Sequence, residues 1–262
     1  MNTESGKILI LVCVIATISF FLVDFYLPSM PAMRQYFHGG GAGIKLIVGS
    51  YLLGLGFSQL IFGTISDRFG RKLPLLVGIS IAAVANYLLT FSPNITTLLF
   101  FRMLSGFGAG VCPPVVRAIL SDKFSGHELL KANSYLSMSI TMSPAIAPVL
   151  GGFIEQYVGW KANVAAVSLW AVIVFLLIVF FLQDTLKKQH AVVIDFSEIK
   201  KRMKIILSDT EFSLVTVISS FAIAANLSYF ILTPFIFQTV LHISPAHNGI
   251  IISCSRKFTF TI

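Results

Sequence analysis

Charge is what this sequence of 262 residues has least of: Asp, Glu, Lys and Arg together make up 11% of it, and only 11 residues are acidic. A soluble globular domain carries about 25% charged residues, so an ordinary water-facing shell is excluded. Cysteine is equally scarce. Cys13, Cys112 and Cys254 all lie in apolar stretches, which excludes a disulfide framework and metal-ligand spacing; the three read as small buried hydrophobes. His127-Glu128 lacks the second histidine of a zinc protease, and His242 and His247 lack metal spacing too. The glycines at 106, 108 and 110 follow an apolar helix rather than a strand, and their spacing does not suit a dinucleotide loop. Close helix packing is the better account of them, because small residues let backbones approach in a membrane. With no nucleophile, paired acids or phosphate loop, neither an enzyme, a cofactor nor a metal is expected.

What the sequence has is hydrophobicity: 56% apolar residues and 24 phenylalanines, with a mean hydropathy of +0.86. A membrane-crossing helix needs about 20 apolar residues, and runs of that kind occupy 8–28, 46–65, 73–91, 95–116, 132–154, 162–182 and 212–240. Outer-membrane strands would instead alternate over about ten residues. The expected class is therefore an all-α membrane protein with seven spans.

The net charge of +8 does not point to nucleic acid, because the bases lie between spans, interleaved with acids, and no nucleic-acid motif accompanies them. They fit a topology signal. With the N-terminus inside, Arg68, Arg71, Lys72, Lys123, Lys131, Lys187, Lys188, Lys200, Lys201, Arg202 and Lys204 all fall on the cytoplasmic side, as the positive-inside rule requires. Lys7 before an apolar run imitates a signal peptide, yet Asp24 and Pro28 stand where a cleavage site would need small residues, so the first helix is expected to stay.

Tight connections join the first six spans into one expected bundle, 1–182. The polar stretch 183–211 reads as a cytoplasmic linker, and 212–262 as a further membrane segment. There the apolar stretch 248–255 is interrupted by Arg256 and Lys257, which would lie near mid-membrane at a cost of roughly 3 kcal/mol each. A partial eighth helix is the expectation, either because the gene is truncated or frame-shifted or because the chain ends with a partial segment.

One short segment breaks the apolar pattern: GTISDRFGRK at 63–72 holds Asp67, Arg68, Arg71 and Lys72 between two spans. Physics alone makes it an electrostatic anchor, with Gly63 and Gly70 permitting a turn or close approach. The segment also resembles the G-x-x-x-D-R-x-G-R-[KR] signature between the second and third helices of the major facilitator superfamily. Further likenesses span most of the chain. VDFYLPSMPAM at 23–33 and LTPFIFQTVLHISPAHNGI at 232–250 are similar to the bicyclomycin-resistance-type drug:proton antiporters. RMLSGFGAG at 102–110 resembles the fourth-helix motif of proton-coupled members, and SPAIAPVLGGFI at 143–154 the fifth-helix antiporter motif, with Pro144, Pro148, Gly151 and Gly152 matching.

The resemblance implies a family fold of twelve helices in two halves, of which this chain supplies the six-helix N-terminal half, a seventh helix and a partial eighth. It implies a bacterial inner-membrane carrier, N-terminus cytoplasmic, that couples small-molecule export to protons by alternating access. Gly63, Asp67, Arg68, Gly70, Arg71 and Lys72 become a cytoplasmic latch, with Asp122 its local partner. The expected partners are a small-molecule substrate, protons and the lipid bilayer, without nucleic acid. The rival expectation is a remnant that transports nothing, or a membrane interaction protein.

Two ionisable residues lie within spans, where they become functional candidates by default. For Asp24, burial would disfavour the charged form and suit it to bind and release a proton; the bland reading is a wet interfacial acid beside Tyr26 and Pro28. Arg102 stays charged at any ordinary pH, so it serves only to hold an anion or tune an acid, or else it snorkels to the headgroups. Bending at Pro144 and Pro148 serves gating, on one reading, and static shape on the other.

Overall fold

The computed structural model describes residues 3–38, 41–184, 206 and 208–259. Most of the expected linker, 185–205 together with 207, lies outside the described residues. Ten α-helices account for nearly all of the rest: α1 (Thr3–Asp24), α2 (Met30–Tyr36), α3 (Gly41–Phe69), α4 (Lys72–Leu88), α5 (Ile95–Ala109), α6 (Cys112–Lys123), α7 (Gly126–Tyr157), α8 (Trp160–Phe181), α9 (Thr210–Phe235) and α10 (Pro245–Thr259). Among the described residues there is no strand. Among the described residues seven stretches are long and apolar enough to cross a membrane, in the order expected from sequence.

Several boundaries differ from the apolar runs, each for a local reason. The first span continues to Tyr36, because the prolines do not end it. Pro28 and Pro31 sit in the first turns of a 3-10 segment (Leu27–Ser29) and of α2, where a missing N–H removes no helical bond. The fourth span runs on to Lys123, re-starting as α6 with Pro113 and Pro114 in its first turn. Asn94 starts α5 by accepting from the Thr97 amide at 2.9 Å, an N-cap. The partial eighth segment forms a helix, α10, whose backbone runs through Arg256 and Lys257.

Small residues set the packing. A Cβ on Gly106 would overlap the Tyr51 carbonyl, and one on Gly54 the Met103 carbonyl, so α3 and α5 touch backbone to backbone. Gly108 meets Gly78 and Ala82 of α4 in the same way. Lipid tails offer helices no hydrophobic reason to associate, so such close approach supplies the attraction. In addition α1 packs on α7, and α4 on α8. The buried core follows from these contacts, with Ile15, Leu22, Ile47, Ile79, Val115, Val164 and Val174 inside.

One end of the bundle gathers the loop after α3 with the ends of α6 and α8: the Arg71 amide donates to Asp184 at 3.0 Å and Lys72 Nζ to the Val179 carbonyl at 2.8 Å. At the other end Gln238 Nε2 donates to the Pro28 carbonyl at 2.8 Å. α9 packs on the bundle at that second end, where Phe230, Thr233 and Phe235 are buried, while Leu214, Val215, Ile218 and Phe221 are exposed.

Candidate functional site

Arg102, on α5, is the largest fully buried side chain among the described residues, 0% exposed. Snorkelling is thereby ruled out. Its guanidinium carbon lies 4.3 Å from the Tyr26 ring centre and 5.1 Å from that of Tyr51, and Nε, Nη1 and Nη2 have no hydrogen-bond partner. Cation–π contact returns about 2 kcal/mol when desolvated, whereas burying one ion costs several. The tyrosines therefore offset only part of the cost, and the centre is built to attract negative charge.

Asp24, the last residue of α1, is 1% exposed, so the reading of a wet interfacial acid also fails. Tyr51 feels the charges of both Asp24 and Arg102. The two ionisable groups thus share a neighbourhood around Tyr51.

A polar chain fixes one wall of this centre. The Tyr26 hydroxyl donates to Asn86 Oδ1 at 2.5 Å, and Asn86 Nδ2 donates to the Val164 carbonyl at 3.1 Å and to Ser168 Oγ at 2.9 Å. Tyr51 donates to the Ser19 carbonyl at 2.9 Å. Sequence reasoning singled out neither Tyr51 nor Asn86. An aromatic with a hydroxyl on the small-residue face of α3 was the available signal.

The charged loop forms a second cluster. Arg71 Nε donates to Asp122 Oδ2 at 2.9 Å and Nη2 to Oδ1 at 3.5 Å, while Nη1 reaches Asp67 Oδ1 at 2.5 Å and Ser66 Oγ at 3.0 Å. Burial pulls the Arg71 guanidinium down, but the hydrogen bonds and charges of Asp122 and Asp67 outweigh it and hold it above its usual value. Gly70 takes φ +88°, the left-handed turn that glycine tolerates, and a Cβ there would overlap the Asp184 carboxylate. Two of the grouped residues go elsewhere: Arg68 stacks on the Phe69 ring at 5.2 Å, and Lys72 Nζ donates to the Val179 carbonyl in the last turn of α8. Gly63 needs no close approach, because its nearest neighbour beyond its own helix, Pro114, would lie 4.0 Å from a Cβ. That corrects the steric half of the expectation for Gly63.

The α7 residues divide by neighbour. Pro144 and Pro148 are buried inside a helix that continues through both. Gly151 lies against the Phe25 carbonyl, Gly152 against that of Pro245, and the Pro148 carbonyl against Gly249, so the motif packs α7 between α1 and α10. Cys254 is exposed rather than buried, and Cys13 only partly buried, because their helix faces turn away from the bundle. One turn beyond Gly151 sits Glu155, a buried acid that sequence reasoning did not single out.

Comparison with known proteins gives this geometry a setting. The family model described as "Major Facilitator Superfamily" matches residues 12–256. The chain is 32% identical over 225 residues to "Uncharacterized MFS-type transporter YdgK" of Bacillus subtilis (strain 168), covering 85% of this chain and 56% of that one. It is 30% identical over 173 residues to "Bicyclomycin resistance protein homolog" of Haemophilus influenzae, covering 66% and 43%. The chain thus spans about half the length of the curated relatives it matches. In fold it is similar to a bacterial homolog of the human lysosomal transporter Spinster, inward-facing and unoccupied, with a TM-score of 0.79 at 13% identity over 95% of this chain and 59% of that one.

Proposed function

Since the chain belongs to the Major Facilitator Superfamily, we propose that it forms part of a proton-coupled exporter of hydrophobic or cationic drugs, of the bicyclomycin-resistance type. The observation that carries this reading is the fully buried Arg102, held between Tyr26 and Tyr51 in the neighbourhood of Asp24. The relative named for bicyclomycin resistance supports the substrate class. Residues 1–182 act as one bundle, 183–211 as the linker and 212–262 as the start of a second bundle, with the N-terminus and the Arg71 end cytoplasmic in a bacterial inner membrane.

Asp24 alternates between protonated and ionised forms as the two bundles rock about a site between them. When Asp24 is ionised, the Arg102 charge and the tyrosine faces balance it, and a cationic drug competes for the same carboxylate. When it is protonated, the drug loses its counter-charge and leaves. Asp67, Arg71 and Asp122 latch the cytoplasmic face in one of the two states. Pro144, Pro148, Gly151 and Gly152 hold α7 close enough to its neighbours for the bundles to move as units.

The test is accumulation of a fluorescent cationic dye in efflux-deficient bacteria expressing this chain. Exclusion that needs the proton gradient and is lost in Asp24→Asn is the expected result. Exclusion that survives Asp24→Asn removes Asp24 from the mechanism. Absence of exclusion, with membrane expression verified, favours instead the reading of a non-transporting membrane protein.

A further inference from the structure

The first span is broken at a pair of prolines, Pro28 and Pro31, three residues apart. The Ser29 amide donates to the Tyr26 carbonyl and the Met30 amide to that of Leu27, but the next donor in this ladder would be that of Pro31, which has none. The Pro28 carbonyl is therefore passed over by the 3-10 ladder. Pro28 is buried, and a buried acceptor left without a partner costs free energy. Its partner comes from far along the chain: Gln238 Nε2 donates to it at 2.8 Å.

A change of helix places Gln238 for this contact. α9 runs into a π-helical turn, Ile236–Val240, a wider winding that occurs mostly as single turns and often at functional sites. Its middle residue, Gln238, is half-buried against the bundle, whereas Ile236 and Val240 are exposed. The carbonyl that Gln238 reaches belongs to the segment supporting the candidate site. Two residues before Pro28, Tyr26 lays its ring against the Arg102 guanidinium at 4.3 Å and donates to Asn86 Oδ1 at 2.5 Å. One residue after it, Ser29 Oγ accepts from Asn163 of α8 at 2.5 Å. The break is thus tied to α4 and α8 on one side and to the end of α9 on the other.

We propose that Gln238 is a positioning residue, a clasp that joins the end of α9 to the break in the first span and holds this end of the bundle closed. The clasp rests on the reading of two bundles that rock, and deepens it: the Arg71 cluster latches one state at its own end, and Gln238 holds the other state at the opposite end. The bond suits that task. When the two parts separate, water satisfies both the Gln238 amide and the Pro28 carbonyl, so opening leaves no orphan and forfeits only the small net worth of one exchanged hydrogen bond. When they close on a residue that has no donor, the Pro28 carbonyl is buried unpaired and the closed state is penalised.

Double electron-electron resonance on the full chain in lipid nanodiscs tests the clasp, with spin labels at Gln35→Cys and Leu241→Cys, both exposed positions, and the native cysteines replaced by alanine. Gln238→Met keeps the length of the side chain but removes the donor, and the ratio of long to short distances is expected to rise about threefold, the worth of one interhelical hydrogen bond in a membrane. Should that variant fold poorly, Gln238→Asn, one methylene too short to reach, is expected to give the same rise. Pro31→Ala supplies the missing N–H three residues after Pro28, so in that background Gln238→Met should shift the ratio far less; a residue that only adds general stability would lose as much in either background. An unchanged distance distribution in the Gln238 variants, or an equal rise with and without Pro31→Ala, overturns the clasp. Drug and gradient are absent from this measurement, so failure of the clasp is told apart from failure of the export reading, which the dye assay decides.

Discussion

Replacing Asn86 with Ala asks how much one polar contact holds three spans together. Asn86 is fully buried on α4 and links Tyr26, just beyond α1, with Val164 and Ser168 of α8. Interhelical hydrogen bonds in membranes average about 0.6 kcal/mol, so three lost bonds sum to roughly 2 kcal/mol. The loss is uneven, however. Ser168 keeps its bond to the Val164 carbonyl at 2.9 Å, whereas the Tyr26 hydroxyl loses its partner Asn86 and becomes a buried orphan, at about 1–3 kcal/mol. The orphan, rather than the number of bonds, should set the result at about 2–3 kcal/mol. A double-mutant cycle separates the two accounts. In Asn86→Ala combined with Tyr26→Phe the orphan is gone and the ring stays on Arg102, so the pair should cost less than the sum of its members by more than about 1 kcal/mol. Reversible unfolding in mixed micelles measures all three variants. Strict additivity, or an Asn86→Ala variant as stable as the parent, would refute the reasoning.

Arg102→Met is expected to raise the unfolding midpoint, because it removes a buried cation that no hydrogen bond compensates, while abolishing any gradient-dependent dye exclusion. Arg71→Lys gives up the two-pronged contact with Asp122 and should destabilise by about 1 kcal/mol, read in the same micelle assay. Gly106→Val forces a side chain into the Tyr51 backbone and should cut the yield of folded protein in size-exclusion profiles. Gly63→Ala, with open space around its Cβ, should stay within about 0.5 kcal/mol of the parent.

What the sequence reveals most directly is whatever depends on length and charge. Runs of about 20 apolar residues locate all seven spans, because the bilayer imposes one thickness on every helix. Their ends are less legible. Pro28 and Pro113 look like stops, but each falls in a first turn where proline is harmless, so two spans outrun their apolar runs. The charged loop is legible as a unit, yet its members part company in space: Arg71 takes both Asp67 and Asp122, and Arg68 turns to Phe69. Spacing along a chain does not say which of several neighbouring bases a carboxylate will meet.

Burial of the charged groups was the step that sequence left open, and the reason is geometric. A span has one face toward lipid and another toward its neighbours, and a lone Arg or Asp near a helix end reaches either. Arg102 is drawn inward because Gly106 and Gly108 bring α5 against the backbones of α3 and α4, leaving its guanidinium facing Tyr26 and Tyr51 rather than the headgroups. Glu155 is hidden by the same device, since Gly151 seats α7 against Phe25 and Gly152 seats it against Pro245. Glycines that let helices touch also decide which charges lose their water. In an apolar bundle, an acid or base within two turns of such a contact is therefore the first place to look for a titrating or anion-holding group, ahead of charges in the loops.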